Sequence, residues 1–252
     1  MSSSAVRANV SPAEWQTRVD LAAAYRLVAL YGWDDLVFTH LSARIPGTES
    51  FLINPYGMMF DEITASSLVK IDLAGNKLAP SPYDINPAGF TIHSAVHAAR
   101  ADAGCVMHTH SLNGIAVSAQ AEGLLPLSQQ SQFILPALAY HDYEGIAVNA
   151  DEKPRLVRDL GGKHVMLLRN HGLLALGTTI ADAFVALYFA EAACAIQVRA
   201  QAGGGALRPI SGDIQQGIAA QARVTTLDLG PDRLVWPGLL RRLDRRNPGY
   251  AD

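Results

Sequence analysis

Two histidines stand one residue apart at the end of an apolar run, Cys105-Val106-Met107-His108-Thr109-His110-Ser111. Alternate side chains on a strand share a face and sit roughly 6.6 Å apart at about 3.3 Å per residue. Imidazoles so placed can converge on one ion, or they can simply end a strand bonded to backbone. His-x-His alone does not decide between these. A second apolar run, Val165-Met166-Leu167-Leu168-Arg169-Asn170-His171-Gly172, also ends in a histidine, and glycine after it suits a sharp turn beside a ligand. Spacing alone leaves the third ligand open. Three neutral imidazoles with an open fourth position describe a catalytic metal site rather than a closed structural one. For His108, His110 and His171 the default is one divalent ion per subunit, zinc, while manganese, cobalt and ferrous iron accept the same ligands.

The other histidines weigh less. His93 and His97 are four apart on an expected helix, a metal-capable spacing. With no acidic partner following, the plainer reading is packing, with one at a helix–sheet seam and the other exposed. His40 in Phe38-Thr39-His40-Leu41-Ser42 and His141 in Tyr140-His141-Asp142-Tyr143-Glu144 are loop-edge candidates for chemistry. His164 precedes a strand and is given no role.

The elements that must position these groups follow from pattern. Ser11-Pro12-Ala13-Glu14 is a helix start, with Ser11 as cap, Pro12 in the first turn and Glu14 completing a capping box. That helix runs to Tyr31 and stops at Gly32. Strands are expected within residues 33–43, 49–53, 68–73, 105–108, 165–168 and 173–176, and helices over 88–100, 112–120 and 151–160. Thr64 to Ser67 reads as a short helix start, and Asp151 as the cap of the 151–160 helix. Residues 132–140 and 143–148 read as mixed strand and loop. Thr179 caps a long Ala-rich helix that ends at Gly203-Gly204-Gly205. Helices alternate with strands, yet several neighbouring strands are joined by short turns. An α/β fold follows, with a mixed or antiparallel sheet and helices on both faces.

Composition excludes several classes. The 252 residues carry a net charge of −3, so nothing steers the chain to nucleic acid or an anionic membrane. No apolar stretch reads as a membrane span, and residues 1–10 read as a flexible N-terminus without a signal peptide. Cys105 and Cys194 lie in apolar or Ala-rich runs and read as reduced core residues, which suits the cytoplasm. The division expected is a domain over residues 11–205 and a C-terminal tail over 206–252 that packs on the domain or a neighbouring subunit and partly covers the site. The basic run Arg241 to Arg246 reads as solvated or subunit-contacting.

Several motifs, in this order and spacing, resemble the class II aldolase/adducin head-domain family: Thr39-His40-Leu41-Ser42-Ala43-Arg44, Asn54-Pro55-Tyr56-Gly57, Asn86-Pro87-Ala88-Gly89-Phe90, His108-Thr109-His110 and Asn170-His171-Gly172-Leu173-Leu174. The resemblance covers residues 11–202. It implies a three-layer α/β/α fold around a mainly antiparallel sheet, and a homotetramer with active sites at subunit borders. It also implies that His108, His110 and His171 match the zinc ligands of the sugar-phosphate aldolases. The departures are as informative. Those aldolases carry a proton-transferring glutamate four residues before the position of His93, where this chain has Gly89. Their phosphate-binding Gly-Asn pair and serines correspond to Thr39-His40 and Pro87-Ala88, so a phosphorylated sugar is disfavoured. The Asn-Pro-Ala-Gly-Phe pattern resembles the adducin-like branch, whose adducin heads are scaffolds, while the wider family includes decarboxylases of aromatic hydroxy acids.

The function expected is a metal-dependent lyase. It would cleave a C–C bond, by decarboxylation or retro-aldol reaction, of a small unphosphorylated hydroxy, keto or aromatic acid through a metal-stabilised enolate. With Gly89 silent, Tyr140 and His141 are the leading candidates for the proton donor, and His40 the next. The resemblance aligns Tyr140 with a tyrosine that aldolases supply from a neighbouring subunit. Two alternatives stay open, a three-histidine non-haem iron oxygenase and a non-catalytic adducin-like scaffold.

Overall fold

The computed structural model describes residues 3–146, 149–227 and 229–252. Its elements run α1 (Ser3–Ala8), α2 (Pro12–Tyr31), β1 (His40–Arg44), β2 (Phe51–Ile53), β3 (Val69–Ile71), α3 (Pro87–Ala99), β4 (Cys105–Thr109), α4 (Leu112–Ser118), α5 (Gln129–Ile134) and β5 (Leu138–His141). They continue with α6 (Lys153–Leu160), β6 (Val165–Leu168), β7 (Gly172–Gly177), α7 (Ile180–Ala202), α8 (Gly212–Thr226), α9 (Pro231–Leu234) and α10 (Trp236–Arg246). The strands form one sheet in the order β3-β2-β1-β4-β7-β6-β5. Every pairing is antiparallel except β5 with β6. This is an α/β fold whose sheet is mainly antiparallel.

Period-2 alternation sorts the strand residues into two cores. Leu41, Ala43, Cys105, Met107, Val165, Leu167, Leu173 and Ala175 pack with α2 and α7. Val106, Met166, Leu168, Leu174 and Leu176 pack instead with Ile92 and Val96 of α3 and Leu156 and Leu160 of α6. Three layers result. The same alternation puts His40 and Ser42 of β1, and His108 of β4, on the α3 face, with His40 directly opposite His108 in the antiparallel register.

Local chemistry explains the boundaries, and it corrects some expectations. Ser11 Oγ accepts from the Glu14 N–H (3.1 Å), and Gly32 closes α2 at φ 70°. The Glu14 carboxylate does not complete a capping box: buried with Arg18, it pairs with that guanidinium (3.0 Å) and with the half-buried Lys70 (2.7 Å), since a buried carboxylate needs charge partners. Thr64 to Ser67 is a hydrogen-bonded turn rather than a helix start, its hydroxyls satisfied within four residues. Residues 129–134 are helical, not strand, capped by Ser128 and Ser131 in a reciprocal box. Asn149, not Asp151, caps the turn that leads into α6. Of the expected segment 143–148, Ala147 and Val148 lie outside the described residues. The expectation of no span-like stretch also needs correcting. Helix α7 is long and apolar enough to cross a membrane by length and composition, but over half of that stretch (56%) is buried in the protein, as a core helix requires.

The end of the chain closes on α2. Trp236 Nε1 donates to Asp20 (2.9 Å), and Trp236, Leu243 and Tyr250 are buried in the α2–α7 core. Arg26 reaches from α2 to Ile63 O (2.8 Å) and Asn247 Oδ1 (2.7 Å), and the Ala65 N–H donates to Tyr250 O (2.8 Å). The basic run touches the body through Arg242, which sits over the Tyr31 ring at 4.9 Å.

Candidate metal centre

His108 is the last residue but one of β4, and His110 follows just beyond the strand end. His171 lies in the tight turn between β6 and β7. There the positive φ falls on Asn170 (58°), a residue that tolerates it better than most, rather than on Gly172. Gly172 is required for a different reason: a Cβ there would meet the Thr109 carbonyl oxygen at 2.3 Å, so glycine lets β7 approach the His-x-His strand. The ligand atoms of the three histidines all lie within 4.8 Å of one another.

The outer nitrogens are tied down. His108 Nδ1 lies 2.9 Å from Leu173 O, and His110 Nδ1 lies 2.9 Å from Asp35 Oδ2. A carbonyl and a carboxylate only accept, so both Nδ1 atoms carry hydrogen. That leaves two Nε2 lone pairs facing each other at 3.1 Å. Two neutral acceptors at that distance repel, and either a proton on one ring or a metal ion between them relieves the repulsion. At the usual Zn–N distance of about 2.0–2.1 Å, tetrahedral ligands are about 3.4 Å apart, close to this separation. The donor set therefore fits a divalent ion, and Asp35 is the orienting carboxylate that such histidines commonly have. Sequence reading missed Asp35, since nothing local distinguishes it from its neighbour Asp34.

The triad opens into a cavity of about 460 Å³, walled also by Asp35, Phe38, His40, Tyr56, Asn86, Pro87, Ala88, Ile92, Tyr143, Gly145 and Ile146. The walls among the described residues include no Lys or Arg. Asn86 caps α3 and donates to Phe38 O (3.2 Å), which fixes the cavity floor. Asn54 accepts from the buried Tyr25 hydroxyl (2.9 Å), which also accepts from the Leu41 N–H (2.7 Å) and so pins the start of β1.

His40 occupies the space the sequence leaves at Gly89. A Cβ at position 89 would lie 2.5 Å from His40 Cδ2 and 3.0 Å from its Nε2. His40 Nδ1 is 2.8 Å from His93 Nε2, and Ser42 Oγ bridges His93 Nδ1 (2.5 Å) and His97 Nε2 (2.7 Å). His97 is not exposed, as expected from sequence, but 2% accessible, with its Nδ1 on Ala103 O at 3.0 Å. Both α3 histidines face the sheet because His97 is one helical turn after His93, on the same side.

The other two proton-donor candidates do not face this cavity within their own chain. The Tyr140 hydroxyl accepts from the Leu124 N–H (3.1 Å), and its ring lies under Arg169 at 4.3 Å. His141 donates through Nδ1 to Asp159 (2.8 Å), with Nε2 3.4 Å from a Glu152 oxygen, an ion-pair distance without hydrogen-bond geometry. It borders a narrow cleft behind Tyr143 and His171.

Burial pushes the pKa values of His40, His93 and His108 well down, and neighbouring imidazoles push them further. Burial also brings His171 down to about 4, helped by His110 and His141, and His97 to about 4, helped by Arg44. These rings are neutral at pH 7. The linkage follows in sign. A histidine whose folded pKa is depressed contributes its stability above the unfolded value, near 6.5, and loses it as the pH falls towards 4. Metal-free protein is therefore expected to lose stability steeply between pH 6.5 and 4, with His97 alone responsible for on the order of 3 kcal/mol. Urea midpoints at pH 7 and pH 5 check this: a flat profile contradicts it.

Residues 19–198 match the family model described as Class II Aldolase and Adducin N-terminal domain. The chain is 61% identical over 249 residues to a candidate class 2 aldolase of Pseudomonas aeruginosa, covering 97% of this chain and 95% of that protein. It is 45% identical over 192 residues to alpha-adducin of Rattus norvegicus, covering 75% of this chain but only 26% of adducin. Its fold superposes on L-fuculose 1-phosphate aldolase from Glaciozyma antarctica with a TM-score of 0.78 at 28% identity, covering 92% of this chain and 90% of that one.

Proposed function

Because the chain belongs to the class II aldolase and adducin N-terminal domain family, we propose that it is a metal-dependent lyase. It breaks a C–C bond, by retro-aldol cleavage or decarboxylation, in a small unphosphorylated hydroxy, keto or aromatic acid. The observation that carries this reading is the pair of Nε2 lone pairs of His108 and His110 facing each other beside His171, an arrangement that a pure scaffold does not need. When bound, the ion supplies a Lewis acid for the negative charge that gathers on oxygen as the bond beside a carbonyl breaks.

The chain's own residues do the rest. His40 borders the same cavity and stands where Gly89 leaves room, so it is the group placed to move a proton. Asp35 holds His110 in its Nδ1–H form. The mostly apolar wall of Phe38, Ile92, Tyr143 and Ile146 limits water at the reacting carbon. The described walls offer a phosphate no Lys or Arg side chain, which supports an unphosphorylated acid. The reading includes a homotetramer with the cavity at a subunit border. In its support, Phe38, Tyr143 and Ile146 are 47%, 53% and 75% exposed at the cavity mouth. It also includes the cytoplasm, which suits two buried free thiols.

The test is turnover. Protein loaded with zinc, manganese, cobalt or ferrous iron is given a panel of hydroxy, keto and aromatic acids, and carbon dioxide or a released carbonyl fragment is measured. His40→Asn is expected to lower kcat by about 10²–10⁴-fold with its metal content unchanged. Turnover of sugar phosphates alone would overturn the substrate class. Oxygen uptake by the iron form would favour the oxygenase, and a protein that takes up no ion would favour the scaffold.

A further inference from the structure

The buried row behind His40 has a direction. It ends on the carbonyl of Ala103, which can only accept, so His97 Nδ1, 3.0 Å away, carries hydrogen and its Nε2 is a lone pair. Ser42 must then donate its one hydroxyl proton to His97 Nε2 (2.7 Å). Having no second proton, Ser42 Oγ must accept from His93 Nδ1 (2.5 Å). His93 Nε2 is therefore a lone pair, and it accepts from His40 Nδ1 (2.8 Å). The nitrogen of His40 left without hydrogen is Nε2, on the ring that borders the metal cavity.

We propose that the row Ala103 carbonyl–His97–Ser42–His93 sets the tautomer of His40 and holds its Nε2 as a proton acceptor facing substrate. His93, Ser42 and His97 are positioning residues, and His40 is the catalytic one. The proposal rests on the lyase reading for its purpose, but not for its geometry.

The step balances. His40 Nε2 takes the proton of the substrate hydroxyl, forming an N–H bond and leaving the O–H electron pair on oxygen. As that oxygen becomes a carbonyl the adjacent C–C bond breaks, and its electrons pass to the departing carbon. That carbon then takes the proton back from His40 Nε2. While His40 is charged, its Nδ1–H bond to His93 Nε2 strengthens. The row cannot export the proton, because its far end is a carbonyl and not a base. The proton is held where the product needs it.

The experiment is ¹⁵N NMR of the zinc-loaded protein labelled at histidine, with Ser42→Ala and Ser42→Thr beside it. The wild type is expected to have His40, His93 and His97 all protonated on Nδ1 and unprotonated on Nε2. Ser42→Ala removes the acceptor of His93 Nδ1–H. His93 then shifts towards its Nε2–H form, which donates to His40 Nδ1 and drives the His40 proton to Nε2. With a substrate in hand, Ser42→Ala is expected to lower kcat by roughly tenfold or more with KM unchanged, and Ser42→Thr, which keeps the hydroxyl, to restore it. A wild-type His40 protonated on Nε2, or a His40 signal indifferent to Ser42→Ala, would overturn the proposal. The spectra need no substrate. A failed lyase reading would therefore leave the tautomer assignment standing, and a failed assignment would leave the lyase reading standing.

Discussion

Alanine at His108 or His171 is expected to strip the ion from the purified protein. Metal analysis without added metal should fall from near one ion per subunit to near none in either variant. The physical basis is the number of directed lone pairs. Three imidazoles hold an ion with an open fourth position, and two leave a site open enough for water and chelators to compete. Asp35→Ala should give a graded loss, about 10–100-fold in affinity, because it frees the His110 ring to rotate without deleting a ligand. Competition against a chromophoric chelator measures both. If His108→Ala and His171→Ala kept a full complement of metal, the centre would have to be sought elsewhere.

The second large effect concerns Gly89. Alanine for glycine inside a helix ordinarily gains up to about 1 kcal/mol. At position 89, in the first turn of α3, the sign is expected to reverse. The added Cβ would sit 2.5 Å from a His40 ring held between β1 and His93, and that ring cannot swing away without breaking its bond to His93. A loss of about 1–3 kcal/mol is expected, which lowers Tm by several degrees in a chain of this size. Gly89→Glu, which restores the aldolase side chain, should be worse. His40→Asn combined with Gly89→Glu should be better than the sum of the single changes, because it exchanges one occupant of the space for the other. Thermal unfolding of the four proteins closes the cycle, and simple additivity would mean that His40 and Gly89 do not share that space.

Much of this was legible in sequence where a short-range rule applies. The strand cores, Ser11 and Gly32 at the ends of α2 and Thr179 at the start of α7 follow from period and capping chemistry and stand as read, whereas the Glu14 half of the α2 capping box does not. What was not legible depends on contacts between distant elements. His40 and Gly89 meet only because β1 packs under the start of α3, so their exclusion of one another has no local sign. His93 and His97 look like ordinary helix residues until Ser42 of β1 is placed between them. Helix α5 was missed for a different reason. Its six residues are too few for a period to emerge, although Ser128 and Ser131 mark its start. Asp35 needed the neighbouring His110, 75 positions away, to become distinguishable.

The way the chain's end closes on α2 has a consequence for how the protein is made. Arg26 finds Asn247 Oδ1 across 221 positions, and Trp236 meets Asp20 across 216. At roughly 5–20 residues added per second, Asn247 emerges from the ribosome about 10–40 s after Arg26. Through that interval one flank of α2 stays open, with its guanidinium lacking that partner and the apolar bed of Trp236 and Leu243 uncovered. The nascent chain therefore depends on Trp236 to Tyr250 to finish a core begun by α2. Contacts of such long separation fold slowly, which makes this seam the expected place for chaperones to hold the unfinished protein.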